Sequence, residues 1–225
     1  ALLACLFVFL TNKMQTNEIL TGIALNVFAG GVTVFALFYL TGQKGSSQNL
    51  FSPVAPTINI PLVGNVLSGH NLLTYIALIL VLVIHIFLFK TPTGMRIRAV
   101  GENKGAANSV GVNIIKTKYL AAAIAGALAG LGGAFMSMAY VSNFSRDMVA
   151  GRGFIGMAAE GMGKGMPIGV LLASLLFGLA DSLAVRLQVL NLPSRLVQMI
   201  PYVVTIIVIS IYSYIDMQRK KKKLK

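Results

Sequence analysis

The sequence predicts an all-α membrane protein, a polytopic transmembrane helical bundle with one short broken or re-entrant helix. Hydrophobic residues make up 56% of the 225 residues and charged residues only 11%, whereas soluble domains carry ~25% charged residues. The mean hydropathy is +0.79. Several apolar runs approach the ~20 residues that a helix needs to cross the hydrocarbon core. Helices are expected because open strands would leave backbone groups unpaired in lipid.

Five apolar runs are long enough to be complete spans. They cover residues 19–40, 71–89, 119–141, 168–185 and 196–215. The run at residues 1–10 has neither a basic segment before it nor a cleavage site after it, so it does not resemble a signal peptide. We expect it to be the tail of another span, with the N-terminal spans missing. Residues 1–215 are therefore predicted to form one transmembrane domain, and residues 216–225 a basic tail.

The segment between Val141 and Pro167 interrupts this pattern. It is rich in Gly and Met, and its apolar piece, residues 154–159, is too short to cross a membrane. A short half-helix entering the bilayer is tolerated only where protein or water surrounds it. This segment is the predicted broken helix.

Basic residues predict the orientation of the spans. Lys and Arg exceed Asp and Glu by 19 to 6, for a net charge of +13, and they concentrate in the loop 90–118 and the tail 216–225. Such an excess marks cytoplasmic segments of membrane proteins. Parity of the spans then requires the broken segment to return to the cytoplasmic side near Lys164. It also makes the loop 41–69 external.

The rare residues exclude several classes of function. The single cysteine, Cys5, and two histidines leave little for a disulfide framework or a metal site, and no cofactor is expected. The chain has no GxxxxGK[ST] phosphate loop, so we do not expect it to be an enzyme that hydrolyses ATP. His85 lies within a predicted span and is a candidate proton relay. Its span contains no acidic residue, which favours a simple interhelical hydrogen bond instead.

Polar side chains recur at helical spacing within two spans, which places each set on one helix face. The candidates for lining a translocation path are Asn26, Ser174, Asp181 and Gln188. A carboxylate at a helix centre costs ~3 kcal/mol on insertion scales, so Asp181 is expected to face a cavity or a partner. A purely structural Asp181 remains equally open. Glycines on the same faces predict close helix packing.

The loop 90–118 contains a predicted short helix. Pro92 and Gly94 are expected to end the preceding span. A helix over 102–109, capped by Asn103 and closed by Gly111, would then present a smooth face. Such an element suits docking of a soluble partner. The alternative is a solvated basic loop held near anionic lipid.

The loop also carries a family resemblance. "MRIRAVGENKGAANSVGVN" resembles the cytoplasmic coupling loop of permease subunits of ABC importers, in the branched-chain amino acid and ribose-type family. Gly105 stands where the wider ABC-importer loop has Glu. "AAAIAGALAGLGGAFMSM" is similar to the span that follows in that family, and "GRGFI", "LFGLADSLAVRLQ" and "IPYVVT" resemble its nucleoside branch. The positions that match the coupling pattern are Gly101, Glu102, Asn103, Ala106, Ala107 and Gly111.

The resemblance implies a membrane-spanning permease subunit of an ATP-driven importer for a small polar solute, with a nucleoside favoured. It implies three partners: an ATP-binding subunit, a second permease subunit in a homo- or heterodimer, and an extracellular substrate-binding lipoprotein. The location would be the bacterial cell membrane, with the C-terminus cytoplasmic. Branched-chain amino acids or simple sugars remain alternative substrates. An ion-coupled secondary transporter, an intramembrane enzyme and a non-transporting scaffold are the rival classes.

Overall fold

The computed structural model describes residues 1–42, 45–48, 50 and 70–188, together with positions 203, 206 and 210. Within these residues the regular structure is helical, apart from an isolated β-bridge between Ser46 and Ser145, so the predicted all-α class is confirmed. The helices are α1 (Leu2–Lys13), α2 (Glu18–Thr41), α3 (Leu72–Lys90), α4 (Pro92–Glu102), α5 (Lys104–Ser109), α6 (Ile114–Phe135), a π-helical extension (Met136–Tyr140), α7 (Arg152–Gly163) and α8 (Pro167–Gln188).

Among the residues that the structure describes, three helices are long and apolar enough to cross a membrane: α2, α3, and α6 with its π-helical extension. They match the predicted spans 19–40, 71–89 and 119–141 within a few residues. α1 is a shorter apolar helix, and so is the part of α8 over residues 167–183. The whole of α8 has 22 residues and covers the predicted span 168–185. The predicted span 196–215 and the basic tail lie outside the described residues, apart from the helical positions 203, 206 and 210.

The chain divides into two compact units, Ala1–Ala150 and Gly151–Lys225. In the first unit α1 packs antiparallel to α6. A Cβ added to Gly126 would lie 2.8 Å from the Ala4 Cβ and 2.9 Å from the Ala1 Cα. At the other end of the pair, the Lys118 ammonium donates to the Asn12 side-chain oxygen over 2.7 Å. The glycine therefore allows the close helix contact that small residues make possible in membranes.

The segments that follow α2 and α6 meet each other. The Ser47 N–H donates to the Phe144 carbonyl over 2.7 Å, and the Leu50 N–H donates to the Ser142 carbonyl over 2.8 Å. The two helices therefore end on the same side, as the parity of the predicted spans requires. Most of the predicted external loop, residues 51–69, lies outside the described residues.

The second unit contains an antiparallel hairpin of α7 and α8. Its core is Ala159, Ala173 and Phe177. The two backbones approach so closely at the turn that a Cβ on Gly169 would lie 2.8 Å from the Gly163 carbonyl oxygen. α7 has 12 residues and is therefore ~18 Å long, well short of a ~30 Å hydrocarbon core. The short helix predicted in the broken segment is α7.

Candidate functional site

A cavity of about 840 Å³ lies beside the middle of α2. One wall is the helix face that carries Asn26, Gly30 and Thr33, three of the residues that the sequence places on one stripe. The other wall is the non-helical segment 144–149, which follows α6 and its π-helical extension. We call this space the α2 cavity.

The position of the α2 cavity is unusual for a membrane protein. Its second wall is irregular backbone, and it contacts the middle of a helix that can span a bilayer. Backbone of this kind is not tolerated against lipid, because its N–H and C=O groups would lack partners there. It occurs at such a depth only where it is buried in protein or lines a water-filled cavity.

The lining of the α2 cavity offers several kinds of contact. Asn26 supplies an amide, Thr33 and Ser145 supply hydroxyls, and Asp147 supplies a carboxylate. Phe144 adds an aromatic ring. The hydroxyl of Thr33 donates to the Ala29 carbonyl over 2.8 Å and still has lone pairs with which to accept a bond from a solute.

The segment around the α2 cavity holds backbone conformations that non-glycine residues rarely adopt. Ser142, Asp147 and Ala150 have φ values of 62°, 58° and 44°. The left-handed region costs an ordinary residue roughly 1–2 kcal/mol, although Asp tolerates it better than Ala. Strain of this type clusters at clamps and switch regions. The segment is therefore held in shape by its surroundings.

The polar set on α8 belongs to the second unit. Ser174 does not lie on the face that packs against α7, because it and Gly178 are exposed next to the buried Ala173 and Phe177. The Ser174 hydroxyl donates to the Leu171 carbonyl. Gln188 is the last residue of α8.

Asp181 pairs across the hairpin with Arg152. Their side chains approach to 3.7 Å and are 36% and 33% exposed. Arg152 is the first residue of α7, so the pair joins the open end of the hairpin. The sequence expected a cavity or a partner beside Asp181, and Arg152 is such a partner. A partly exposed ion pair is compatible both with a structural role for Asp181 and with a role in the translocation path.

A sharp corner links α3 to the predicted coupling loop. The Thr91 hydroxyl donates to the Phe87 carbonyl over 2.6 Å and accepts from the Gly94 N–H over 3.1 Å. A Cβ on Gly94 would lie 2.6 Å from the Leu88 Cα. Pro92 begins α4, since proline is favoured in the first turn of a helix. The prediction that Pro92 and Gly94 only break a helix was therefore incomplete, because a new helix starts there.

The predicted helix over 102–109 is two helices. Glu102 ends α4, and Asn103 lies between α4 and α5 with an extended backbone. The side chain of Asn103 accepts from the Ala106 N–H over 3.0 Å, which confirms its capping role. Gly111 follows with a φ of 79°, a conformation that glycine adopts without strain. The predicted closing position is confirmed too.

The two alanines of α5 differ in exposure. Ala107 is 3% exposed, where α5 contacts α4 and α6, whereas Ala106 is exposed. Gly101, Glu102 and Asn103 are exposed as well. Of the two alanines, only Ala106 therefore contributes to the predicted smooth face, while Ala107 fixes the helix to its neighbours.

His85 contacts an aromatic ring of its own helix. Its Nδ1 is buried without a hydrogen-bond partner among the described residues. The imidazole stacks on Phe89 with ring centroids 4.9 Å apart, and the Arg98 guanidinium lies 4.2 Å from the centroid of the same Phe89 ring. The expected interhelical bond stays a prediction, and within the described residues the ring makes an aromatic contact.

Comparison with known proteins identifies the family of the chain. The model of the branched-chain amino acid transport system / permease component family matches residues 1–209. The chain belongs to this family. It is a multi-pass protein of the cell membrane.

Several curated relatives are also permease proteins. The nucleoside ABC transporter permease protein NupC of Lactococcus lactis is 37% identical over 94% of the chain and 69% of its own length. The guanosine ABC transporter permease protein NupQ of Bacillus subtilis is 33% identical over 88% of the chain and 65% of its length. The fructose import permease protein FruG of Bifidobacterium longum is 28% identical over 68% of the chain and 47% of its length. No solved structure matches significantly.

Two features of this permease escaped the sequence. The segment 144–149 has no apolar periodicity, so nothing indicated that it faces α2. Its run of Asn143 to Asp147, polar residues around one Phe, was the available signal. Arg152 was read as part of a broken segment, and its pairing with Asp181 depends on a hairpin that the sequence predicted only in outline.

Proposed function

We propose that this permease is the membrane-spanning subunit of an ATP-driven importer, and that the α2 cavity is part of its translocation path. One observation carries the proposal: a polar-lined cavity, walled by irregular backbone, lies at mid-length of a helix able to span a membrane. In lipid such an arrangement requires burial in protein or a water-filled cavity, and the polar lining favours the cavity. The chain itself carries no ATP-binding motif, so a partner subunit would supply the energy.

A nucleoside is the solute that suits this lining best. The cavity volume of about 840 Å³ falls within the 300–1,000 Å³ of small-molecule sites. Amide, hydroxyl and carboxylate groups can exchange hydrogen bonds with ribose hydroxyls and base edges, and Phe144 can stack on a base. The names of NupC and NupQ, which specify nucleoside and guanosine transport, support the same class. The name of FruG, which specifies fructose import, supports a simple sugar as the second candidate.

The partners of the proposed importer follow from the family. An ATP-binding subunit would contact α5 through its exposed positions, with Gly101, Glu102 and Asn103 at its start, Ala106 on its outer face and Gly111 at its end. Ala107 would act by holding α5 in place. A second permease subunit, identical or different, and an extracellular substrate-binding lipoprotein would complete the complex.

Orientation is part of the proposal. The basic loop 90–118 and the tail 216–225 would be cytoplasmic, as the positive-inside rule predicts. A matched pair of variants tests this in intact cells with the native cysteine replaced. Lys104→Cys should react with an impermeant thiol reagent only after the cells are opened, and Gln48→Cys, beside the paired loops, should react beforehand. The reverse result would invert the topology.

Ser174, Asp181 and Gln188 belong to the second unit. We propose a role for them in lining the translocation path, independently of the α2 cavity. Ser174 is exposed next to the residues that pack against α7, and Asp181 is partly exposed despite its pair with Arg152. A role in lining the path requires uptake to depend on these side chains beyond their effect on protein abundance.

Uptake by the complex reconstituted into vesicles tests the function itself. With ATP available to the ATP-binding subunit and the binding protein present, radiolabelled nucleosides should accumulate. Fructose and leucine serve as matched competing solutes. Accumulation of leucine alone would overturn the nucleoside assignment. Accumulation driven by an ion gradient without ATP would replace the importer class by a secondary transporter.

A further inference from the structure

A second, smaller cavity in the first unit has a different character from the α2 cavity. It has a volume of about 370 Å³ and lies where the start of α4, the segment after α5 and the first turns of α6 meet. Its lining includes Arg96 and Lys116, the hydroxyls of Thr93 and Thr117, and the apolar side chains of Val110 and Leu120. We call it the basic cavity.

The charge of the basic cavity is not balanced by the chain. Its described lining contains two cationic side chains and no acidic one. Among the residues that the structure describes, neither Arg96 nor Lys116 forms an ion pair. The guanidinium and the ammonium both bind phosphate oxygens well. An anion that carries phosphate oxygens would satisfy these groups.

The apolar part of the lining indicates where that anion comes from. Leu120 lies one helical turn beyond Lys116, within the helix Ile114–Tyr140 that is long and apolar enough to cross a membrane. Val110 is 76% exposed. The basic cavity therefore stands at the boundary where the basic loop gives way to the apolar span. A soluble phosphate would use only the polar half of this lining, whereas a phospholipid would use both halves.

We propose that the basic cavity binds the phosphate of an anionic phospholipid headgroup. Arg96 and Lys116 hold the phosphate, and the start of the acyl chains follows Leu120. The volume of about 370 Å³ is at the small end of ligand sites and matches a headgroup rather than a whole lipid. Bound there, the lipid joins α4 to α6 at the base of the predicted coupling helix α5.

Retention of phosphatidylglycerol by the purified permease, together with the subunits that accompany it, tests the proposal. The test variant is Arg96→Gln with Lys116→Gln. Lys104→Gln is the control, because Lys104 is an exposed cation of the same loop that does not line the cavity. Each removed cation near a membrane surface should weaken the affinity for the anionic lipid about fivefold. The control should retain the wild-type amount.

Two further arms separate the occupants. Excess inorganic phosphate should leave phosphatidylglycerol in place, and Leu120→Gln should weaken lipid retention while the basic residues remain. Arg96→Lys with Lys116→Arg, which keeps both charges, should restore most of the binding and shows that the double Gln variant acts through charge rather than misfolding.

Three results would overturn the proposal. The first is equal retention by the wild type and the double Gln variant. The second is equal loss in the Lys104→Gln control, which would mean diffuse attraction by the loop. The third is displacement of the lipid by inorganic phosphate or by the ATP-binding subunit, which would assign the cavity to a soluble anion or to a protein contact.

Discussion

The α7–α8 hairpin and helix α2 have similar glycine-rich sequences but use their glycines differently. In the hairpin Gly163 and Gly169 bring two backbones into contact. In α2 a Cβ on Gly22, Gly30 or Gly31 would meet nothing within 4 Å, and the last two line the α2 cavity. The same residue type closes the chain on itself in one region and leaves a surface open in the other. Small residues at helical spacing therefore indicate a smooth helix face. Whether that face packs against another helix or lines a cavity depends on the element opposite it.

The largest effect is expected where the chain is most tightly closed. Gly163→Leu would force a side chain into the backbone of Val170, and overpacking of this kind costs about 3 kcal/mol. Gly161→Leu, on the same helix in open space, should leave stability unchanged. Thermal unfolding and membrane abundance measure both. Equal losses in the two variants would show that α7 and α8 do not pack as described.

The two alanines of α5 extend the comparison to the predicted coupling loop. Ala107→Asp buries a carboxylate without a partner, which should destabilise the protein by about 1–3 kcal/mol and reduce its abundance. Ala106→Asp should leave abundance unchanged but uncouple ATP hydrolysis from uptake, because this side chain is on the outer face. ATPase activity and uptake, both normalised to inserted protein, separate the two effects. Normal coupled uptake by the Ala106→Asp variant would remove α5 from the proposed docking surface.

A moderate effect is expected on the open surface of α2. Asn26→Leu removes a hydrogen-bonding group from the α2 cavity, and a lost bond of about 1 kcal/mol corresponds to roughly fivefold slower uptake. Gly22→Ala, on the same helix but outside the cavity, is the control and should transport normally. If both variants insert normally and transport equally well, Asn26 has no role in solute passage.

The smallest effect is expected at the ion pair of the hairpin. Partly exposed pairs contribute about 0–1 kcal/mol, so Asp181→Asn should change abundance little. A double-mutant cycle with Arg152→Gln isolates the pair. Uptake per inserted molecule then distinguishes the two roles: a pathway residue lowers uptake in the Asp181→Asn variant but not in the Arg152→Gln variant. A purely structural pair would give the same small loss in both.

The sequence predicted the spanning helices well because length and apolar composition determine them. α2, α3 and α6 needed no information about neighbours. It failed where a contact decides the outcome. Pro92 was read as a break, yet Thr91 and Gly94 together build a corner from which α4 starts. Ala106 and Ala107 are indistinguishable in composition, and only the packing of α5 against α4 and α6 separates them.

The candidate site was predictable only in part, for the same reason. Asn26 was identified from its stripe and does line a cavity. The opposite wall, residues 144–149, was missed because irregular segments carry no periodic signal. The basic loop was recognised from its charge, but the cavity at Arg96 and Lys116 depends on three elements meeting at one point.

Cysteine accessibility along α2 tests the central claim, that the α2 cavity is a wet part of the solute path, most directly. Cys5 is the single cysteine of these 225 residues, and the test uses a background without native cysteines. Asn26→Cys lines the cavity, whereas Phe28→Cys, 53% exposed but absent from the lining, is the matched control on another face of the helix. The account predicts that a charged, water-soluble thiol reagent modifies position 26 and not position 28, and that added nucleoside slows the reaction. Equal protection from the reagent at both positions, or a reaction at position 26 that nucleoside leaves unchanged, would contradict it.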